Sequence, residues 1–390
     1  MARKGTVRAM YVFALMLILF SGCEKASKEQ SSATAIETLS FRNIPGITQS
    51  EISAIEALKT QYGSFVYGIN PTTEAFLGKD GEINGYAFML CNWLSEMFGI
   101  QFKPVYYQWG DLLRGLESGE VDFTGELMTT SESRTDYFMS SPTINRTIKS
   151  YRIKGSIPIT EILRSRMPRY AFLREAVVAA DVAANTEYTF DTVLADSHQE
   201  AYRMLKSGQV DAFFGLETAE GAFDVYGDVV AEEFYPLIFR SSCLSTRKAE
   251  LSPVISVLEK AMNDRVLEYL TVLQKKGHDQ YLENKIYALL TEEERSYIRN
   301  NPVIRIGADF SNYPISFFNT RTSEWQGIYF EALDEIAKLT GLTFQIGNDH
   351  NMPLLKVIDM VEKGDALIIP ELFQIKEYEG RFLTLPMYFP

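Results

Sequence analysis

Along residues 86–98 apolar side chains return at helical spacing, and Gly99 ends the run, so the pattern predicts an amphipathic helix. The flanking period is different. Residues 65–69 (F-V-Y-G-I) are a short β-rich run closed by the turn pair Asn70-Pro71, and Asp80-Gly81 marks a second turn. Residues 100–107 then read as a strand, 111–118 as a helix and 121–124 as a buried strand. This β-turn-β-α-β-α-β order belongs to a layered α/β lobe with a mostly parallel sheet.

A second α/β stretch follows. Strands are expected at 169–173, 188–193 and 210–214, a helix at 199–207, an extended segment at 239–245, and amphipathic helices over 251–273 that end near Gly277. Two lobes in one domain, with the chain crossing and later returning, leave a cleft between them, where small ligands usually bind.

The pattern then recurs. Asp80 to Leu127 has a weaker copy running from Ser323 to Leu372, with landmarks at a nearly constant offset: Gly85 and Gly327 (327 − 85 = 242), Gly99 and Gly341 (341 − 99 = 242), Asp122 and Asp365 (365 − 122 = 243), Pro142 and Pro386 (386 − 142 = 244). So long a spacing indicates a duplicated domain, not a solenoid repeat of 20–50 residues.

Composition adds class and compartment. With 390 residues, 46% hydrophobic and 23% charged, the chain is globular and long enough for two domains. A net charge of −13, with no basic groove interleaved with aromatics, excludes nucleic acid as a partner. Arg3, Lys4 and Arg8 precede an apolar run from Ala9 to Phe20 that ends in Ser21-Gly22-Cys23, the order of an export signal and too short for a comfortable membrane span. The small pair before Cys23 resembles a bacterial lipobox, which implies cleavage there, lipidation of Cys23 and a protein held at the outer face of the cell membrane. The polar stretch after it reads as a flexible tether.

Cys91 and Cys243 read as buried small hydrophobes more readily than as a disulfide. His198, His278 and His350 have no metal-ligand spacing, and no phosphate loop or nucleophile elbow appears. No catalytic residue, metal site or cofactor is therefore expected.

Five segments taken together carry a resemblance: G-E-I-N-G-Y, W-G-D-L-L-R-G-L-E-S-G-E-V-D, G-E-L-M-T-T-S-E-S-R, Y-F-M-S-S-P and K-S-G-Q-V-D-A-F-F. The chain resembles bacterial extracellular solute-binding proteins of family 3, the amino-acid-binding flytrap modules of the periplasmic binding protein type 2 fold, over about residues 50–285 and, less completely, 302–390. The resemblance implies an α/β, two-lobed module at 46–285, with lobe 1 at about 60–148 plus 246–285 and lobe 2 at about 149–245. A signal peptide (1–22) and tether (23–45) precede it, and a connector (286–301) and second copy (302–390) follow. Because the chain stops about where the first copy leaves its first lobe, the second copy is expected to be incomplete and the sequence a fragment or a truncated gene product.

The resemblance also implies a site. The family grips the ligand's carboxylate with a G-x-T-x-T-x-x-R run, because guanidinium gives a carboxylate two parallel charge-assisted hydrogen bonds. Here Leu127 falls at the glycine, Thr129 and Ser131 at the threonines, and Arg134 at the arginine. The acid that meets the ligand's ammonium falls on Leu216, with Glu217 one residue further, and the aromatic platform of the first loop falls on Glu74. Glu74 would add negative charge and favour a cationic or polyamine-like ligand. Tyr86, Phe88 and Trp109 are expected to be core residues. In the second copy Tyr378 stands opposite Arg134, with Arg381 nearby, so no amino-acid binding is expected there.

Tandem copies of this kind resemble the sensor regions of bacterial histidine kinases and diguanylate cyclases. The expected activity is binding of a small polar solute such as an amino acid by the ligand-sensing region of a transmembrane signalling protein, with a downstream signalling domain as partner. The alternative is a lipid-anchored binding protein that delivers to an ABC permease. An enzyme on the same fold, such as a cyclohexadienyl dehydratase or a lytic transglycosylase, finds no placed acid pair.

Overall fold

The first sheet is organised around β1 (Ser64–Ile69), whose inward side chains Phe65, Tyr67 and Ile69 are almost fully buried. The computed structural model describes residues 39–384 except 80, 131, 132, 175, 176, 373–377 and 379. Within it the chain divides into two units between Tyr281 and Leu282. The export signal, Cys23, Ser131 and Pro386 lie outside the described residues.

After β1 come the hairpin β2 (Phe76–Leu77) and β3 (Ile83–Asn84), the helix Tyr86–Phe98, β4 (Gln101–Tyr106), the helix Trp109–Ser118, β5 (Phe123–Thr124) and β6 (Phe138–Met139). β1 pairs in parallel with both β4 and β5. The helix Tyr86–Phe98 forms where the period predicted it. It buries Leu90, Cys91, Leu94, Met97 and Phe98 on the sheet, whereas Phe88 faces outward and is 37% exposed, unlike the core position expected of it. Tyr86 and Trp109 are buried.

The chain crosses on β7 (Ile144–Ile153) into a second sheet with β8 (Arg169–Leu173), β9 (Asp191–Ala195), β10 (Ala212–Leu216) and β11 (Val229–Glu233), in the order β11-β7-β10-β8-β9. β12 (Phe239–Ser242) lies antiparallel against the start of β7 and carries the chain back, and β13 (Ser245–Thr246) inserts between β5 and β6. Lobe 1 is completed by the helices Ser252–Ala261 and Asp264–Leu289. The first unit is thus the expected two-lobed flytrap, with two crossing strands as its hinge.

Two expectations shift. The strand expected at 188–193 begins at Asp191, because Tyr188 and Phe190 are used as core rings on Tyr170: the two tyrosine hydroxyls lie 2.9 Å apart, and the Phe190 ring is 4.8 Å from that of Tyr170. The helix expected to stop near Gly277 continues to Leu289. Gly277 is instead a contact point, since a Cβ there would lie 2.4 Å from the Tyr86 nitrogen. Cys91 and Cys243 are buried and unbridged, as small hydrophobes are.

The second unit repeats the order of lobe 1: β14 (Val303–Ile306), β15 (Ser311–Asn312), β16 (Ser316–Asn319), β17 (Glu324–Gln326), the helix Ile328–Thr340, β18 (Thr343–Ile346) and the helix Leu354–Lys363. β14 and β18 pair in parallel as β1 and β4 do. Gly85 and Gly327 have φ of 97° and 129°, and a Cβ would lie 2.6 Å from the Glu74 carbonyl oxygen or 2.4 Å from that of Ile315, so both positions require glycine. The helix Glu292–Asn300 opens on a capping box at Thr291, with Glu294 as its third residue. Among the described residues no helix is long and apolar enough to cross a membrane.

Gly277→Ala separates helix propensity from packing. Propensity alone would stabilise by about 1 kcal/mol; the contact with Tyr86 predicts a loss of about 1–3 kcal/mol from overpacking. Urea unfolding of the first unit reads the sign, and a stabilised variant would refute the contact.

Candidate functional site

The site lies where the two crossing strands bring the lobes together. On the lobe 1 side the loop after β1 (residues 70–75) meets residues 217–221 of lobe 2: the Thr73 amide donates to the Thr218 carbonyl at 2.9 Å. A Cβ on Gly221 would lie 2.5 Å from the Thr72 carbonyl carbon, so glycine permits this approach. Trp109 Nε1 donates to the Arg174 carbonyl at 2.7 Å, and the Tyr281 hydroxyl donates to Asp224. The lobes are closed on one another by bonds that belong to the chain.

Between them lies a cavity of about 50 Å³, walled by Asn70, Trp109 and Glu126 from lobe 1 and by Leu173, Phe213 and Phe214 from lobe 2. His198 also lines it, and among the described residues no lysine or arginine does. That volume holds roughly four water-sized groups. A larger, open hollow of about 460 Å³ on lobe 1 is walled by acids already engaged, Glu51 with Lys260 and Glu259 with the amide and hydroxyl of Ser141.

The dominant charged feature beside the cavity is Arg146. It sits at the hinge end of β7, on the same face as Ile144 and Ile148, and is 3% exposed. Its guanidinium reaches back to lobe 1: Nη2 to Glu74 Oε2 at 2.6 Å, Nε to Glu74 Oε1 at 3.3 Å, and Nη1 to Glu126 Oε2 at 3.4 Å, with Ser242 Oγ accepting at 3.1 Å. Burial opposes the charge on Arg146, but Glu74 and Glu126 more than offset it and raise its pKa. Burial pushes the Glu126 carboxyl above its ordinary value, with Glu74 adding to the rise and Arg146 only partly countering it. His198 is pushed down to about 4 by burial, its ring edge-on to Phe213 and Phe223, so it is neutral at pH 7.

The residues singled out from sequence are distributed around this centre. Glu74 is buried, and its carboxylate is taken up by Arg146. Thr129 stands at the hinge: its amide donates to the Ser241 carbonyl at 3.2 Å, and its hydroxyl lies 2.9 Å from Cys243 Sγ. Arg134 is exposed on the short helix Ser133–Asp136 and does not line the cavity. Ser131 lies outside the described residues. Glu217 is half-buried and accepts from the Thr147 hydroxyl at 2.5 Å. In the second unit Arg381 pairs with Glu362, its guanidinium 5.7 Å from the Tyr378 ring centroid.

Sequence reasoning missed Arg146, Glu126 and Asn70. A signal existed for the first: in I-N-R-T-I, strand alternation places Arg146 on the inward face between two isoleucines. Nothing comparable marked Asn70, which read as a turn residue.

Residues 66–169 match the family model described as bacterial extracellular solute-binding proteins, family 3, so the resemblance read from the motifs is matched over that stretch. No curated protein matches the chain. Among solved structures, the chain is similar to the amino acid ABC transporter substrate-binding protein AbpA of Streptococcus pneumoniae bound to L-arginine, at 19% identity over 58% of this chain and 98% of that one, TM-score 0.47. It is similar to the BvgS VFT2 domain of Bordetella pertussis (double mutant) at 17% identity over 59% and 99%, TM-score 0.46. With the whole BvgS periplasmic domain the identity is 18% over 86% of this chain and 65% of that one, TM-score 0.42.

Two measurements test the electrostatics. Arg146→Met leaves two buried carboxylates uncompensated and should destabilise the first unit by about 3–5 kcal/mol at pH 7. The triple variant Arg146→Met/Glu74→Gln/Glu126→Gln should recover most of that loss; a neutral single variant would refute the cluster. For His198 the folded value of about 4 lies below the ordinary 6.5, so the unfolded chain binds the extra proton between them. Its contribution is complete above pH 6.5 and is lost as pH falls toward 4, by about 1.5 kcal/mol between pH 6.5 and 5. His198→Gln should flatten that slope in urea titrations at the two pH values; an unchanged slope would show that His198 protonates freely.

Proposed function

We propose that the first module binds a small polar solute between its lobes, an amino acid or a close relative, as the ligand-sensing region of a bacterial transmembrane signalling protein outside the cytoplasm. The observation that carries this reading is the set of bonds that the chain's own groups make between the lobes, Thr73 to Thr218, Trp109 to Arg174 and Tyr281 to Asp224, beside a hinge strand fixed to lobe 1 by the ion pair of Arg146 with Glu74 and Glu126. A ligand shifts an equilibrium only by its differential affinity for two states. Where internal contacts already favour the closed state, solute does not have to supply the closing free energy and can tune a population instead, which suits a switch. A carrier has the opposite need, an open state that loads and a closed state that the cargo itself stabilises. The repetition of the lobe 1 element order in the second unit supports the same reading.

On this reading Thr129, Arg134 and Glu217, with Ser131 on its motif alone, are candidate solute contacts, and Glu74 acts through Arg146. Delivery to an ABC permease is the second reading. It is favoured by the basic, apolar, small-residue order ending at Cys23, which would hold the chain to a membrane by lipid.

Dyes on cysteines introduced at Ser118 and Glu187, exposed positions on the two lobes, distinguish the two by single-molecule energy transfer. Sensing predicts that the lobes-together population dominates before any solute is added and that Gly221→Ala shifts it toward the open state. A population that is mainly open and closes only on addition of solute would sink sensing and favour transport.

A further inference from the structure

The cavity wall combines two facts that do not follow from the family resemblance. Asn70 is 3% exposed and lines the cavity, and its Oδ1 has no hydrogen-bond partner. A buried acceptor left in this condition costs about 1–3 kcal/mol unless a donor meets it. Glu126 lines the same cavity, and its single tie to Arg146 is long, at 3.4 Å. The geometry points the same way: Glu74 and Glu126 share one guanidinium, and Glu74 takes its two closer contacts, so Glu126 is the less engaged of the two carboxyls and the one that lines the cavity.

The rest of the wall is mostly aromatic and aliphatic, from Trp109, Leu173, Phe213 and Phe214, with Thr72, Thr218 and His198 among them. Aromatic faces attract cations through their quadrupole. Among the described residues no cationic side chain lines the wall to hold an anion. Arg134, the residue implied for carboxylate binding, does not line the cavity, and the Thr129 amide is spent on Ser241.

We propose that this cavity takes a small primary alkylammonium ion, an amine with no carboxylate, whose ammonium donates to Asn70 Oδ1 and Glu126 while its alkyl part packs against Trp109, Phe213 and Phe214. The inference rests on the solute-binding reading of the cleft and narrows its ligand class. It makes Asn70 and Glu126 the specificity-determining residues. The volume limits the ligand to a few heavy atoms, methylammonium to propylammonium in size. A neutral His198 on the wall adds no repulsion to a bound cation.

The test is calorimetric titration and thermal unfolding of the whole chain with methylammonium and ethylammonium chloride, using glycine, ethanol and potassium chloride as matched comparisons. Ethylammonium should bind and raise the unfolding temperature, with the three comparisons leaving it unchanged. Asn70→Ala and Glu126→Gln should each weaken the amine at least tenfold, and Asn70→Asp, which keeps the acceptor, should retain binding and report that the cavity still folds. Glycine binding without ethylammonium binding would overturn the amine assignment and leave the solute-binding reading standing. Equal shifts with potassium and ethylammonium would overturn it in favour of a plain cation site. No response to any compound, or amine binding indifferent to Asn70 and Glu126, would overturn the assignment, and the first of these would take the solute-binding reading with it.

Discussion

The first module depends on one buried guanidinium. Arg146 is held at the hinge between two carboxylates of lobe 1, with its side chain 4% exposed and those of Glu74 and Glu126 at 9% and 10%. Taking three charges out of water is costly, and the attraction offsets that cost only where hydrogen bonds are well made. Here the guanidinium spends donors on both acids and on Ser242. The pair fixes the crossing strand to the loop after β1, and that loop reaches lobe 2 through the Thr73 amide on the Thr218 carbonyl, so opening the cleft must break that contact or carry the loop along. The favourable energy of closure therefore resides in the protein before any solute contributes.

That placement changes how the cleft can discriminate. A cleft closed mainly by cargo selects by the contacts that the cargo adds across the gap. A cleft closed by the chain's own bonds selects by what fits inside and by the groups left unsatisfied there. In this module that group is the Asn70 Oδ1 acceptor, beside the loosely tied Glu126 on a mostly apolar wall, so charge sign and size are read together. The same low-dielectric surroundings that raise the Glu126 pKa strengthen its interaction with any cation that reaches it.

Much of the framework was legible in the sequence because backbone demands leave fixed marks. The helix Tyr86–Phe98 showed in its spacing, and Gly99 marked its end. Errors came where one residue type serves two purposes: Gly277 read as a stop but is a contact, and Tyr188 and Phe190 read as strand but are core rings. The site was less legible. Motif matching led to Thr129, Ser131 and Arg134 along one stretch of chain, whereas Asn70, Glu126 and Arg146 converge only after the chain has crossed the hinge. Glu74 was noticed as a departure, but its partner 72 residues away could not be read from local pattern.

The duplication shows why framework and site obey different rules. The Glu74 carbonyl accepts from the Ala87 amide and sits against Gly85, and the Ile315 carbonyl accepts from the Tyr329 amide and sits against Gly327. Both loops are pinned through the main chain, so the side chain at this point is presented from a fixed position and can change without altering the fold. One copy uses that freedom for a carboxylate, which requires Arg146 beside it; the other uses it for an isoleucine packed against its own core of Ile304, Ile306, Tyr329 and Leu333. A change at this one position thus decides whether a copy carries the charged tie, while the glycine opposite it cannot change in either.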